Sequence, residues 1–301
     1  MTLVPVAVIT GATRGIGRSI AAKLSREGMC CVIVGSSISS VKTGILLGYD
    51  VVRESTGKSL LIERDSLRTL KLDNVGQRHR GVVIDLGLWP RWTEKKEFPG
   101  IEISRGSQDA ELVKNDYASL FDFSHWEQFS SVRYSLELLV NCAGVTQQVL
   151  GIRTRTEEVQ RIMNINFMSA TSLSSSAAKV MIKHKIKNST AKPCIINVSS
   201  ILGHSKGIRL PGTSIYSASK AAIAQYSMVL SQELARSGVR VNCVSPKLVA
   251  DTDMIRTLPE DTVHRLMDSL ESNTTSTDLI AAKVWELYND KVSTTGSNIV
   301  V

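Results

Sequence analysis

Strand-length apolar runs alternate with segments of helical periodicity along most of the chain. The first run, Val4–Thr10, precedes a segment from Ile16 to Glu27 in which Ile20 and Leu24 share one helical face. Further strands are predicted at Cys30–Val34, Val82–Leu86, Leu136–Asn141, Cys194–Val198, Val239–Val244 and Asn298–Val301. This alternation predicts an α/β fold, doubly wound, with a mainly parallel sheet of about seven strands.

Two long stretches interrupt the alternation. Residues 48–80 are rich in charge, and residues 87–133 contain Trp89, Trp92 and Trp126. Stretches of this length inside a domain carry a function or their own structure. The second is interpreted equally well as a lid-like insertion or as packed decoration. The whole chain, residues 1–301, is predicted to be a single domain with long insertions at about 48–80 and 87–133.

Composition narrows the class of protein. No apolar run reaches 18 residues, so no membrane span is predicted. The net charge of +8 favours anionic partners, but the basic residues are scattered and aromatics make up 5%, which argues against nucleic acid. Five cysteines without a C-x-x-C motif predict reduced thiols and no metal site in an intracellular protein. The amino terminus leads directly into the first strand, so neither a secretory signal nor a presequence is predicted.

A glycine-rich turn joins the first strand to the first helix. It reads Thr10-Gly11-Ala12-Thr13-Arg14-Gly15-Ile16-Gly17. Glycines permit a tight turn and a close approach of the backbone to a pyrophosphate, and the helix amino terminus supplies N–H groups and partial positive charge. In this strand–turn–helix context, the motif predicts a Rossmann-type dinucleotide site.

The type of dinucleotide is argued from charge. An NAD site usually has an acidic residue after the second strand, whereas this chain reads Gly35-Ser36-Ser37-Ile38-Ser39-Ser40. Arg14 lies inside the glycine turn, where a guanidinium can bind a 2′-phosphate. The sequence therefore predicts NADPH. In the alternative, Arg14 is merely solvated and the serines are ordinary turn residues.

A Tyr-x-x-x-Lys pair is the main catalytic candidate. Tyr216 and Lys220 are four residues apart, so on a helix they share one face. A nearby ammonium group is expected to lower the pKa of the phenol from about 10 toward the working range of a general acid.

Three further segments supply the context of this pair. Ser200 follows the fifth predicted strand, at the sheet edge where open α/β sheets bind ligands. The fourth strand ends in Asn141-Cys142-Ala143-Gly144, and a helical segment carries Asn166.

Together, T-G-x-x-x-G-x-G, N-x-A-G, the serine and Y-x-x-x-K resemble the short-chain dehydrogenase/reductases over nearly the whole chain outside the two long stretches. The resemblance implies that Tyr216 donates a proton, Lys220 lowers its pKa and holds the nicotinamide ribose, Ser200 orients the substrate carbonyl, and Asn166 holds a water beside Lys220. Cofactor contacts are then expected at Gly11, Thr13, Arg14, Gly15, Ile16, Gly17, Ser36, Asp85, Leu86, Asn141, Gly144, Tyr216, Lys220 and Thr252.

A narrower resemblance concerns the Trp89–Trp92 region and Leu210–Thr213. These segments resemble the mitochondrial 3-oxoacyl-[acyl-carrier-protein] reductases of yeasts. The likeness implies NADPH-dependent reduction of a 3-oxoacyl thioester in fatty acid biosynthesis, an acyl carrier protein as substrate carrier, and a mitochondrial location. It also implies a homodimer or homotetramer. Lysines before the fifth strand are expected to steer the acidic carrier toward the cleft: Lys179, Lys183, Lys185, Lys187 and Lys192. In the alternative, they form an ordinary solvated helix face.

The chain departs from the family pattern at two places. The segment between Ser200 and Tyr216 is a few residues longer, and Lys247 follows Pro246 where the family prefers glycine. Two alternatives stay open: a reductase of the same family that acts on another ketone or alcohol, and a non-catalytic NADP-binding scaffold.

Overall fold

The computed structural model describes residues 2–37, 39–41, 49–53, 59–63, 77–91, 98–104, 111–115, 117, 119–127, 132–187, 191–204, 208–250, 252–256, 274–290 and 293–301. The strands in these ranges are β1 (Thr2–Thr10), β2 (Cys30–Gly35), β3 (Tyr49–Arg53), β4 (Ser59–Glu63), β5 (Arg78–Val83), β6 (Phe98–Ser104), β7 (Glu111–Asn115), β8 (Val132–Asn141), β9 (Cys194–Val198), β10 (Arg240–Ser245) and β11 (Asn298–Val300). The α-helices are α1 (Gly15–Arg26), α2 (Ser124–Glu127), α3 (Thr156–Met163), α4 (Ser169–Lys187), α5 (Ser214–Glu233), α6 (Asp253–Arg256) and α7 (Thr277–Asn289).

The main sheet has the strand order β11-β10-β9-β8-β1-β2-β5-β6-β7. The seven strands from β11 to β5 run parallel to one another, which confirms the predicted doubly wound α/β fold. The sheet is larger than the predicted seven strands, because β6 and β7 add an antiparallel pair beyond β5. Both extra strands lie within the stretch 87–133.

Alternating side chains of the central strands bury both faces of the sheet. Val6 and Val8 belong to a core that includes residues of α4 and α5, whereas Ala7 and Ile9 belong to a second core with α1 and α7. All four are fully buried. Strands that are covered on both faces read as continuous apolar runs, which is why their positions could be predicted.

Two details differ from the predicted elements. The third parallel strand, β5, ends at Val83, so Asp85 and Leu86 lie after the strand and not at its end. Asp85 instead begins a short 3-10 helix, where its Oδ1 accepts a hydrogen bond from Gly87 N at 3.0 Å.

The stretch 48–80 contains the antiparallel pair β3–β4 as well as the first residues of β5. Trp92 lies outside the described residues.

The chain between β8 and β9 forms a long helical run. Helix α3 continues through a π-helical turn, Asn164–Met168, into α4. Because π turns are often found at functional sites, this interruption marks the segment that carries Asn166. Among helices within the described ranges, none is long and apolar enough to cross a membrane.

Candidate active site

The glycine turn lies directly against the chain that follows β8. Gly11 has φ +65°, and a Cβ atom at this position would stand 2.7 Å from Ala143 Cα. A Cβ atom at Gly17 would stand 2.5 Å from Gly11 O. Thr10 Oγ1 fixes the contact, since it accepts hydrogen bonds from the backbone N–H groups of Cys142 and Ala143 at 3.0 and 3.1 Å. Only glycine fits at these two turn positions.

The start of α1 is electrostatically open to an anion. Arg14 precedes the helix without a side-chain cap, and its first turn contains no acidic residue. No side chain of the first turn therefore offsets the partial positive charge of the helix amino terminus. The Arg14 side chain is 77% exposed, and its Nη1 lies 3.4 Å from Asp253 Oδ2. Ser36 is exposed at the end of β2, and Thr13 contacts Gly35 on the same side of the turn.

The four predicted catalytic residues converge at the carboxyl edge of the sheet. Lys220 Nζ donates to Val198 O at 2.8 Å and lies 5.9 Å from the centroid of the Tyr216 ring. Ser200 is hydrogen-bonded to Tyr216. Asn166 binds Ser219 Oγ at 3.0 Å, one residue before Lys220. All four catalytic residues are buried.

Gly144 forms one wall of this cluster. A Cβ atom there would stand 3.3 Å from Lys220 Nζ and 3.5 Å from Asn166 Oδ1. Asn166 is held on both sides of its amide, since Nδ2 donates to Val145 O at 3.0 Å and Oδ1 accepts from Val145 N at 2.9 Å. The loop after β8 is thereby tied to the π turn.

Burial sets the ionisation of the two central groups. It raises the pKa of Tyr216, and the hydrogen bond with Ser200 opposes this rise. It lowers the pKa of Lys220, against the opposite influence of Cys142 and Cys243. The net direction for Tyr216 in this structure is thus set by burial, and the expectation that Lys220 lowers the pKa of Tyr216 stays a prediction. The ammonium group is directed to Val198 O, and the desolvation of the phenol dominates.

The side chain of Asn141 is buried and makes hydrogen bonds within the core. Its Nδ2 donates to Asn197 Oδ1 at 2.8 Å and to Ser174 Oγ at 3.0 Å, and Asn197 in turn donates to Ser227 Oγ at 2.8 Å. This buried chain of hydrogen bonds joins β8 and β9 to α4 and α5. The side-chain amide of Asn141 is thus used in the core, and the expected contact of this residue with a cofactor stays a prediction.

The segment after β10 closes the site near the glycine turn. The methyl group of Thr252 would be 3.6 Å from a Cβ atom at Gly15, and its Oγ1 donates to Val249 O at 3.0 Å. Lys247 N donates to Val301 O at 2.8 Å. Lys247 is not among the positive-φ residues, so a side chain is accommodated where the family prefers glycine.

Two further residues expected to contact the cofactor lie against the core. Leu86 is buried, and Ile16 is partly buried beneath the glycine turn.

One residue at the site has no signal in the sequence. Gln147 is buried, and its Oε1 accepts hydrogen bonds from Ile215 N and Tyr216 N at 2.8 and 3.4 Å. A glutamine in a loop after a strand has neither periodicity nor motif spacing, so only its three-dimensional position reveals it.

This fold and this arrangement define an oxidoreductase that uses a nicotinamide dinucleotide. A family model described as short chain dehydrogenase matches residues 104–263, more than half of the chain, and the protein belongs to that family. It is 27% identical over 256 residues to 3-oxoacyl-[acyl-carrier-protein] reductase FabG of Haemophilus influenzae, covering 85% of this chain and 78% of the relative.

Two vertebrate relatives match a shorter part. The human 3-oxoacyl-[acyl-carrier-protein] reductase is 36% identical over 126 residues, covering 42% of this chain and 49% of the relative. Carbonyl reductase family member 4 of Xenopus laevis is 34% identical over 133 residues, covering 44% of this chain and 52% of the relative. The resemblance to 3-oxoacyl-[acyl-carrier-protein] reductases is thus confirmed, while its yeast mitochondrial detail stays a prediction.

Proposed function

We propose that this protein reduces the ketone of a 3-oxoacyl thioester to the 3-hydroxyacyl form with NADPH, in fatty acid biosynthesis. The observation that carries the proposal is the convergence of Asn166, Ser200, Tyr216 and Lys220 at one buried edge of the sheet. The names of the Haemophilus and human relatives support the substrate class.

The chain's own residues supply the proton and the orientation. Tyr216 is protonated near neutral pH because burial raises its pKa, so its hydroxyl donates a proton to the ketone oxygen. Ser200, hydrogen-bonded to Tyr216, orients the same oxygen. Lys220 is fixed by Val198 O and places positive charge beside the phenol ring as oxygen charge develops. The dihydronicotinamide, when bound, supplies the hydride.

The residues present fit that cofactor. The acid-free first turn of α1 and the close glycine turn suit a pyrophosphate. Arg14, with the serines Ser36 and Ser37 after β2, suits a 2′-phosphate, and residues 35–40 at the end of β2 contain no carboxylate. NADPH is therefore proposed over NADH. Asp85 and Leu86, at the beginning of the 3-10 helix after β5, are proposed to contact the adenine.

An acyl carrier protein is proposed to deliver the substrate. In a parallel sheet, α4 leads from the carboxyl end of β8 to the amino end of β9, so Lys185 and Lys192 lie at the sheet edge opposite Ser200. These lysines cannot contact a carrier docked at the cleft. Exposed Arg153 and Arg155 follow β8 on the catalytic side, and the loop reaches the start of α5, where a Cβ atom at Gly151 would stand 2.5 Å from Ser214 Oγ.

Turnover assays test the function. Purified protein is expected to oxidise NADPH with acetoacetyl thioesters, and Tyr216→Phe protein to fail. A panel of simple ketones with NADPH, and of alcohols with NADP⁺ in the reverse direction, separates the thioester from the second candidate, a carbonyl reductase, which the likeness to the Xenopus protein favours. Absence of turnover with every ketone, despite NADPH binding, would instead support a non-catalytic scaffold.

The same proposal extends to the whole molecule. Residues 1–301 form one NADP-binding reductase domain with insertions at about 48–80 and 87–133. The protein acts in mitochondria as a homodimer or homotetramer. Sedimentation and localisation of the tagged full chain test these two statements separately.

A further inference from the structure

The start of helix α5 is capped by a residue distant in sequence. Oε1 of Gln147 accepts from Ile215 N and Tyr216 N, the second and third residues of the helix. These are the N–H groups that a capping side chain normally satisfies. Thr213, which precedes the helix, provides no side-chain cap. Its hydroxyl donates instead to Leu210 O at 2.7 Å.

The other end of the same amide holds a loop. Nε2 of Gln147 donates to Val149 O at 2.7 Å and to Thr154 Oγ1 at 3.2 Å. The loop between them presents exposed apolar side chains, with Ile152 93% exposed and Leu150 45% exposed. A single buried side chain therefore joins this loop to the helical turn that carries Tyr216.

We propose that Gln147 is a positioning residue, which fixes the first turn of α5 and thereby the place of the Tyr216 hydroxyl relative to Ser200 and the substrate ketone. The proposal deepens the proposed function and rests on it. Gln147 does not touch the reacting atoms. Its effect passes through the backbone of Tyr216, because the position of that backbone, which Gln147 binds at the amide, sets where the side chain begins.

Three variants test the role. Gln147→Met keeps the length and burial of the side chain but removes every hydrogen bond. Gln147→Glu keeps a side-chain oxygen that accepts from the N–H groups of the helix, and the amino terminus of a helix favours a negative charge. It loses the N–H groups that donate to the loop. Gln148→Met is the matched control, since Gln148 is the adjacent residue and is exposed. The readouts are kcat, KM for ketone, Kd for NADPH, and hydrogen exchange of the amides of α5.

Gln147→Met is expected to lower kcat by roughly 10- to 100-fold, because misplacement by about 1 Å can cost on the order of 100-fold in rate. Its Kd for NADPH stays near that of the wild type, and exchange rises only at Ile215 and Tyr216. Gln147→Glu retains protected amides, but its negative charge raises the pKa of Tyr216 and moves the alkaline limb of the kcat profile to higher pH. Gln148→Met matches the wild type throughout.

Two results would overturn the inference: a kcat for Gln147→Met equal to that of Gln148→Met, or a parallel loss of kcat and NADPH affinity, which marks a general structural role. If Gln147→Met protein is unfolded, Gln147→Glu alone decides. In that case, an alkaline limb of its kcat profile at the same pH as in the wild type overturns the inference. Failure of the proposed function is distinct, because it appears as an inactive wild type or an active Tyr216→Phe. In that case, the hydrogen-exchange rates of the α5 amides still show whether Gln147 fixes the start of α5.

Discussion

At the scale of single residues, the site depends on two groups whose burial acts in opposite directions on their ionisation. The pKa of Tyr216 is raised and that of Lys220 is lowered, both chiefly by desolvation. The phenol therefore keeps its proton well into the alkaline range. That protonation state suits the reduction of a ketone, because the oxygen must gain a proton when hydride reaches its carbon.

Tyr216→Phe is expected to abolish turnover while NADPH binding is retained. The variant loses the proton donor and keeps the ring that lies beside Lys220. Steady-state assays and titration of NADPH fluorescence measure the two properties. A near-normal kcat in the variant contradicts the assignment of Tyr216.

The Tyr216 phenol should ionise above its usual pKa of about 10 in the protein without cofactor. A raised pKa means that the proton is held until the pH passes the usual value, so the phenolate forms only at more alkaline pH. Ultraviolet difference titration of wild type against Tyr216→Phe measures this ionisation. Ionisation of Tyr216 near neutral pH would refute the prediction.

Arg14→Ala should raise KM for NADPH markedly and KM for NADH little. A charge-assisted hydrogen bond to a 2′-phosphate is worth about 1.5–3 kcal/mol, whereas the exposed pair with Asp253 contributes only about 0–1 kcal/mol. Asp253→Asn serves as the control, because it removes the partner and keeps the guanidinium. Equal losses with both cofactors would identify Arg14 as structural.

At the scale of elements, the extra strand β6 is joined to the family fold by a buried ionic cluster. Arg80 of β5 is fully buried, and its Nε lies 2.6 Å from Glu102 Oε1 of β6. Trp126 Nε1 donates to the same carboxylate oxygen at 2.9 Å, and His125 lies 3.1 Å from it. The Arg80 guanidinium also stands 4.9 Å from the Trp126 ring centroid.

Glu102→Gln should lower the free energy of unfolding by about 3–5 kcal/mol, because it removes the carboxylate that pairs with the buried Arg80 at 2.6 Å. Burial acts to raise the pKa of Glu102, but His125 and Arg80 outweigh it and hold that pKa at about 2. Because the carboxyl pKa is lower in the folded protein, the ionised group stabilises the fold at pH values above its ordinary pKa near 4.5. This stabilisation is lost as the pH falls toward 2. The difference between wild type and variant should therefore shrink over that interval.

Glu286→Gln is the matched control for this measurement. Glu286 is 66% exposed and pairs with Lys283 on the surface of α7. Its loss should change stability by less than about 1 kcal/mol. If denaturant titrations place the two variants at the same stability, the cluster does not hold β6 to the sheet.

At the scale of the whole molecule, position decides which charges can contribute to carrier docking. The net charge is +8, but the lysines of α4 extend away from the catalytic edge while Arg153 and Arg155 remain on it. A basic rim accelerates the encounter with an acidic partner, and salt screens this effect.

We expect acetoacetyl-carrier protein to give a higher kcat/KM than a carrier-free thioester, with an advantage that shrinks as ionic strength rises. Arg153→Glu with Arg155→Glu should remove most of it, on the order of tenfold at low salt. Lys179→Glu with Lys183→Glu changes the charge equally on exposed positions of α4 and should have less effect. A carrier that confers no advantage at low salt contradicts the proposed partner.

The sequence predicted the central sheet and catalytic residues because apolar runs and short spacings encode them locally. It placed Asp85 and Leu86 within a strand because Val82–Leu86 reads as mostly apolar, whereas the structure turns after Val83. Strands β6 and β7 were missed because both lie in the stretch 87–133, which was interpreted as an insertion, and because Pro99 and Gly100 interrupt the strand pattern of β6. Gln147 and the pKa of Tyr216 depend on burial, which a motif does not record.

The π turn at Asn164–Met168 has a consequence for how this chain tolerates changes of length. Such a turn holds one residue more than an α-helical turn. Deleting Ile165 would let α3 and α4 join as an uninterrupted α-helix with its backbone still paired, but it would remove the wider turn that carries Asn166. Asn166 would then lose its register with Val145 and Ser219. A relative shortened by one residue here would keep its fold and lose its site.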